Sequence, residues 1–297
     1  MRVAIASCRE LPDWEKDDLP LYAALRERGV AVAVVAWDDP EVRWAGFDAC
    51  LIRTTWDYWD DGEGGDRRDE FIAWAERVDG MTRLFNPAAI VRWNTHKRYL
   101  RDLAGAGAPL APTIWLPAGA TIDVAAAVIE RGWTGGFIKP QIGACARGTL
   151  RFAADEAGFA AAQAHLGATL EREPMLLQPY LRRVETEGET SLIFFDGAFS
   201  HAVQKIPVPG DYRVQDDYGA SDRPTQVSAA EIAAAAELVA AAGGEHAPLL
   251  YARVDMMRDE QGRWVLAELE AVEPSLFFRH DEAAPGRLAD ALVRRLA

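Results

Sequence analysis

Lysine is scarce in this chain: of 32 basic residues only Lys16, Lys97, Lys139 and Lys205 are lysines, and the other 28 are arginines. Codon bias towards arginine accounts for the ratio but not for where the four survivors sit. Cysteine is scarcer still. Cys8, Cys50 and Cys145 form an odd, scattered set without metal-ligand spacing. That argues against a disulfide framework or a thiolate metal centre, and for reduced thiols in a cytoplasmic protein. No stretch approaches the ~18 consecutive apolar residues of a membrane span. The opening "MRVAIASCRE" lacks the basic region and long apolar run expected of a signal peptide. Internal repeats are absent. The basic residues are outnumbered by 46 acidic ones, and the net charge of −14 speaks against nucleic acid or an anionic membrane as a partner. An anionic ligand would need a local cluster of cations.

What is present suits a sizeable core: 49% of the 297 residues are hydrophobic, enough for one large domain or two to three small ones. "RVAIAS" (2–7), "VAVAVVAW" (30–37) and "ACLIR" (49–53) read as fully buried parallel strands. Between the first two, "LPLYAALRERG" reads as a helix, with Pro20 near its start and Gly29 at its end. A second amphipathic helix spans 67–80. Residues 1–93 therefore read as a βαβ domain, whose ligands bind at the C-terminal ends of strands. Those ends are "SCRELPDW" and "RTTWDYWDD", which makes Arg53, Trp56, Asp57 and Tyr58 candidate substrate contacts, against the alternative that the rings simply pack.

Further on, the pattern predicts a helix over 94–106 and a strand over 135–140, "GGFIKP", followed by the glycine-bearing loop "QIGACARGT". It predicts a helix in "EAGFAAAQAHLG", a strand over 175–181, and a hairpin in "ETSLIFFDGAFSHAVQKIPV" turning at Asp196-Gly197. An irregular loop over 207–227, an alanine-rich helix, a second hairpin turning at Asp259–Gly262 and a C-terminal helix complete an α+β chain.

Two constellations carry chemistry. Lys139 ends an apolar strand, where an unpaired charge is costly, and Lys205 lies on another. A lysine is a compact point charge suited to a phosphate, and the small residues of "GACARG" allow backbone N–H groups to approach one. The loop is neither a Walker motif, since no lysine separates Gly148 from Thr149, nor a dinucleotide fingerprint, since it does not follow the first strand. The second constellation is "RWVLAELEAVEPS" (263–275). On a strand, Glu268 and Glu270 project from one face, and the tight turn brings Asp255 beside them. Such oxygen-only clusters suit Mg²⁺; the other reading is a solvated sheet face. Glu273, just before Pro274, caps the following segment or orients substrate.

In this order the features resemble the ATP-grasp ligases, chiefly the glutathione-synthetase-like and D-alanine–D-alanine-ligase-like branches. The resemblance covers residues ~94–297 and implies an ATP-grasp fold after the N-terminal βαβ domain, with segments 94–180 (glycine-loop subdomain) and 181–297 (metal-site subdomain). It implies ATP and Mg²⁺ as cofactors. "NTHKRYL" and "FIKP" are similar to the segments that supply the nucleotide lysines, here Lys97 and Lys139, and "IGACARG" to the loop over the phosphates, with Gly143 and Gly148. "LLQPYL" implies Gln178, Tyr180 and Leu181 at adenine, and "VETEGETS" implies Glu189 at the ribose, with Glu185 as rival. Arg213, Arg253 and Lys205 are implied at the transferring phosphoryl group, and Asp255, Glu268 and Glu270 at the metal. Glu270 departs from the asparagine usual in the family, and the glycine loop has fewer glycines than usual.

"RTTWDYW" and "ELEAVEPSLFFRH" narrow the resemblance to bacterial ATP-grasp proteins related to the O-ureido-D-serine cyclo-ligase of D-cycloserine biosynthesis. This narrower resemblance implies an ADP-forming carbon–nitrogen ligase. It would activate a small, amino-acid-like carboxylate as an acyl phosphate and join it to a nitrogen of the same or another molecule. A kinase and a catalytically inactive ATP-binding regulator are the alternatives. A homodimer or higher homo-oligomer is expected.

Overall fold

The computed structural model describes residues 1–11, 16–58, 66–143, 146–214 and 218–297. Parts of "SCRELPDW", "RTTWDYWDD" and "GDYRVQDDYGA", and Ala144 and Cys145 of the glycine-bearing loop, lie outside the described residues.

The N-terminal layer is a parallel sheet in the order β2-β1-β3-β4, formed by β1 (Arg2–Ser7), β2 (Ala31–Ala36), β3 (Ala49–Thr54) and β4 (Arg83–Phe85). Helices α1 (Leu19–Glu27) and α2 (Arg68–Asp79) make the crossovers. Strand β3, central in the sheet, is buried at every residue. Strand β2 departs from the expectation of full burial: it is the edge strand, and Val34 is 47% exposed.

The helix expected over 94–106 is two helices, α3 (Ala88–Asn94) and α4 (Tyr99–Gly105). The break between them has a tertiary cause. The Lys97 N–H leaves the helical pattern to donate to the Gln141 carbonyl at 2.7 Å, which anchors this connection to the next sheet.

That sheet is antiparallel, in the order β5-β8-β6-β7, from β5 (Ile114–Leu116), β6 (Gly135–Pro140), β7 (Leu150–Ala153) and β8 (Met175–Pro179). Helices α5 (Val124–Glu130) and α6 (Glu156–Thr169) cover it, with Val128 and Leu166 packed in one cluster with Ile138 and Leu177. After the short α7 (Val184–Glu187) comes a five-stranded sheet, in the order β11-β10-β9-β12-β13. Its strands are β9 (Glu189–Phe195), β10 (Ala198–Ile206), β11 (Ser221–Pro224), β12 (Tyr251–Arg258) and β13 (Trp264–Glu270). The β9–β10 turn has Asp196 at φ 53 and Gly197 at φ 77, the left-handed pair that a two-residue hairpin turn requires. Strand β11 falls in the stretch expected to be irregular.

Helix α8 (Ala229–Gly243) packs against this sheet together with α4. The last helix, α9 (Ala284–Leu296), returns to the N-terminal layer, where Leu288 and Leu292 join Leu21 and Leu25 of α1 in one core. Among the described residues no helix is long and apolar enough to cross a membrane.

Strand β13 ends the sheet, and an edge strand exposes a row of unpaired backbone groups. Side chains and loop backbone cover this one. Asn94 donates to the Leu269 carbonyl at 2.8 Å and accepts from the Ala271 N–H at 2.7 Å; the Tyr99 hydroxyl accepts from the Leu269 N–H at 2.9 Å. The Leu266 N–H donates to the Pro109 carbonyl at 2.7 Å. Asn86, fully buried, joins the two ends of the molecule: its amide donates to the carbonyls of Tyr251 and Ala271 at 2.9 and 2.8 Å, and its oxygen accepts from the Leu250 N–H at 2.9 Å. Asn86→Ala would leave three buried backbone groups unpaired, each costing roughly 1–3 kcal/mol. A fall of several degrees in thermal midpoint is the expected outcome, measured by circular dichroism; an unchanged midpoint would refute this account of the joint.

Candidate active site

A cavity of about 830 Å³ is lined by both antiparallel sheets, by the 95–97 connection, by Trp56 and Tyr58 after β3, and by residues 272–279. Its floor is set by the β12–β13 register, which places Asp255 opposite Glu268 and Arg253 opposite Glu270. All four side chains therefore share one face, as the spacing of the glutamates predicted.

Charges on that face alternate in sign. Lys139 reaches Glu268 at 2.9 Å and Lys97 reaches the same carboxylate at 3.6 Å. Burial opposes ionisation of Glu268, but the two lysines outweigh it and hold the carboxyl at about 2. The Arg253 guanidinium binds Asp255 at 3.0 Å and also pairs with Glu270. Lys205 pairs with Glu189 and lies 3.5 Å from Asp255, which accepts from the Ser191 hydroxyl at 2.5 Å. Gly188 makes the Glu189–Lys205 approach possible: a Cβ there would meet the Lys205 carbonyl oxygen at 2.0 Å. Burial and the charges of Asp255 and Glu268 push Glu270 up to about 7 in spite of Arg253. This crowding of acids is what a divalent cation would relieve. Among the described residues no three carboxylate, imidazole or thiol groups converge to enclose an ion. That suits Mg²⁺, which is bound through one or two carboxylates with waters and phosphates rather than by a protein cage.

At the far side of the lining stand Gln178, Tyr180 and Leu181, with the Gln178 amide donating to the Thr113 hydroxyl at 2.8 Å. The Gly143 carbonyl accepts from Lys97 at 2.7 Å. Gly148, in the left-handed region at φ 65, is outside the lining, as is Glu185, which is held by the Tyr180 hydroxyl at 2.6 Å and by Arg151 at 2.9 Å. Of the two acids proposed for ribose, only Glu189 faces the cavity. Arg213 faces it too, paired with Asp211 at 2.7 Å and stacked 3.9 Å from the centre of the Tyr218 ring.

The four candidate substrate contacts divide. Trp56 and Tyr58 line the cavity. Arg53 and Asp57 do not, and each has an internal partner instead. Arg53 is 2% exposed; its fork holds Asp18 through two hydrogen bonds of 2.9 Å and donates to the Pro274 carbonyl at 2.9 Å. Asp57 accepts from the Trp37 indole at 2.8 Å and pairs with Arg67 at 3.7 Å. Sequence reasoning missed Tyr212 and Arg279, which also line the cavity. Both lie in segments the resemblance uses, "GDYRVQDDYGA" and "ELEAVEPSLFFRH", but nothing local marks them as site residues; folding brings Tyr212 to within 2.9 Å of the Thr149 hydroxyl and Arg279 to Asp222.

Comparison with known proteins agrees with this geometry. Residues 3–86 match the family model of the N-terminal domain of the D-cycloserine synthetase DcsG. Over 293 residues the chain is 36% identical to the cycloserine biosynthesis protein DcsG of Streptomyces lavendulae, covering 93% of each chain. The crystal structure of D-cycloserine synthetase DcsG superposes with a TM-score of 0.87 at 31% identity, over 100% of both chains. The ATP-grasp ligase PsnB, in complex with its minimal precursor, Mg and ADP, shares the fold at 18% identity and a TM-score of 0.66, covering 99% of this chain and 98% of that one.

Two outcomes are expected of the site. Lys139→Met should cost on the order of 10²-fold or more in ATP turnover with the thermal midpoint little changed; wild-type turnover in the variant would remove Lys139 from the site. The second concerns pH. Burial and the Glu270 charge hold Glu273 at about 8 rather than the ordinary 4.5. A raised carboxyl keeps, in the folded state, a proton that the unfolded chain has released, so its contribution to stability is full below about 4.5 and is lost as pH rises through 8. The nucleotide-free protein should therefore lose thermal stability between about pH 5 and 8 and level off above that, and Glu273→Gln should flatten that slope. Equal slopes in the two proteins would show that Glu273 ionises normally.

Proposed function

The chain belongs to the ATP-grasp ligases and is an ADP-forming carbon–nitrogen ligase with ATP and Mg²⁺ as cofactors, and on that premise we propose that it closes a small amino-acid derivative into a ring of the D-cycloserine kind. The observation that carries this reading is likeness to DcsG along the whole chain, with Trp56 and Tyr58, on the N-terminal layer, in the same cavity as the lysines.

The substrate carboxylate attacks the γ-phosphorus of ATP, the bond to the β,γ-bridging oxygen breaks, and ADP leaves an acyl phosphate behind. A nitrogen of the same molecule then attacks the acyl carbon, phosphate departs with the bonding electrons, and the nitrogen gives up its proton; when that nitrogen is the ureido N–H of O-ureido-D-serine, water must also cleave its carbamoyl group, as carbon dioxide and ammonia, to leave the ring N–H. Lys97 and Lys139 hold the nucleotide phosphates as point charges. Arg253, Arg213 and Lys205 face the charge that spreads over the transferring group, in a cavity where such fixed charges act strongly. Gln178, Tyr180 and Leu181 take adenine. Glu189 takes the ribose, a choice supported by its place in the lining against Glu185, which is tied to Tyr180 and Arg151. One or two of Asp255, Glu268 and Glu270 would hold Mg²⁺, which neutralises phosphate charge when bound.

The test is to supply O-ureido-D-serine, ATP and Mg²⁺ and follow ADP and D-cycloserine by mass spectrometry. ADP and D-cycloserine should appear together with no added acceptor. ADP formation that depends on a separate amine would replace cyclisation by intermolecular ligation, and a stable phosphorylated product would make the enzyme a kinase.

A further inference from the structure

The carboxylates that line the cavity are all but one matched by a cation of the chain. Glu189, Asp255, Glu268 and Glu270 have the lysine and arginine partners described above, and Asp17 lies 3.5 Å from Arg279. Glu273 is the exception. Among the described residues no lysine, arginine or histidine stands within salt-bridge distance of it, and the segments outside that description contain none of these residue types. The side chain that interacts with it is neutral instead, the hydroxyl of Tyr58. That ring is fixed by stacking on Phe71, with centroids 4.5 Å apart and planes 10° from parallel.

The backbone beside Glu273 is equally well held. Its carbonyl accepts from the Trp56 indole at 3.4 Å, and the next carbonyl, of Pro274, accepts from Arg53 at 2.9 Å. A carboxyl on a backbone held this firmly, in a cavity that compensates every other acid, has its positive charge missing from the protein. Burial and the nearby Glu270 charge keep it protonated near neutrality, the state of a carboxyl that awaits a cation. Arg253 stands close by: it donates to the Ser275 carbonyl at 3.1 Å, two residues from Glu273. An anion-binding and a cation-binding group are thus neighbours in one wall.

We propose that Glu273 is the counter-ion for a protonated primary amine on the organic substrate. The inference rests on the cavity being the ligase site and names the substrate class: a zwitterion whose carboxylate turns to Arg253 and whose ammonium turns to Glu273 and Tyr58.

The experiment measures binding by calorimetry for the wild-type chain and Glu273→Gln, with D-cycloserine and its deaminated ring, isoxazolidin-3-one. The wild type should prefer the amine-bearing ring ~10-fold or more, the size of a hydrogen-bonded charge pair. Glu273→Gln should erase the preference and leave ATP affinity within about twofold, a margin well under 1.4 kcal/mol. A preference that survives in Glu273→Gln while kcat falls would overturn the counter-ion role in favour of proton transfer. Should the Gln variant lose ATP binding as well, Glu273→Asp decides: it keeps the preference if the charge matters and loses it if not. Failure of both rings to bind the wild type would count against cyclisation alone. D-serine against 3-hydroxypropionate then tests Glu273 separately, and no preference for the amine in either pair overturns the assignment.

Discussion

The register between β12 and β13 is the constraint on which the rest of the site depends. It sets Asp255 opposite Glu268 and Arg253 opposite Glu270 on one face, and a slip of β13 by one residue would turn Glu268 and Glu270 away from the cavity. A β-bulge between Asp255 and Met256 marks where the regular pairing is interrupted. Because β13 is an edge strand, its register is held from outside by Asn94, Tyr99 and the Pro109 carbonyl. Asn94, the last residue of α3, thus holds the acidic strand, and three residues later the chain presents Lys97 to the acid that strand carries.

Buried charge explains why the face alternates in sign. An isolated carboxylate away from water is too costly to keep ionised, and a pair tolerates burial only with good geometry and further hydrogen bonds. Glu268, with two lysines, stays ionised; Glu270, sharing Arg253 with Asp255, is pushed towards protonation. The face is therefore compensated but under tension. On the proposed reading, phosphates would draw the lysines and arginines away from their carboxylates, and a divalent cation would take the place those cations leave. The asparagine usual in the family at position 270 would relax the tension, and the glutamate here retains it.

The N-terminal layer contributes through fixed joints. Tyr251, whose hydroxyl lies 2.7–2.9 Å from the carbonyls of Ile52, Phe85 and Val272, and Asn86, with its three backbone bonds, link the parallel sheet to the strands that carry the acids. The buried Arg53–Asp18 pair reaches across to Pro274. These joints bring Trp56 and Tyr58 to the same cavity as Lys97 and Lys139.

What the sequence by itself determined was everything that depends on local period and local cost. The two-residue spacing of Glu268 and Glu270, the lysine at the end of "GGFIKP" and the left-handed turn at Asp196-Gly197 placed the acids, the cation and the hairpin, because strand alternation and desolvation act over a few residues. The order of motifs carried the fold for the same reason. Tertiary structure alone decided the pairings between distant elements. Arg53 read as a substrate contact because it ends a strand, but Asp18 and Pro274 claim its fork; Glu185 stayed a rival to Glu189 until only Glu189 faced the cavity. The helix over 94–106 broke because Gln141, far along the chain, offered Lys97 a better partner than the helix did. Strand β2 looked buried because its residues are apolar, yet among the described residues no strand pairs with its outer edge. The isolation of Glu273 is of the same kind. A carboxylate without a cation is a statement about all the charges around it in space, and no window of sequence contains them.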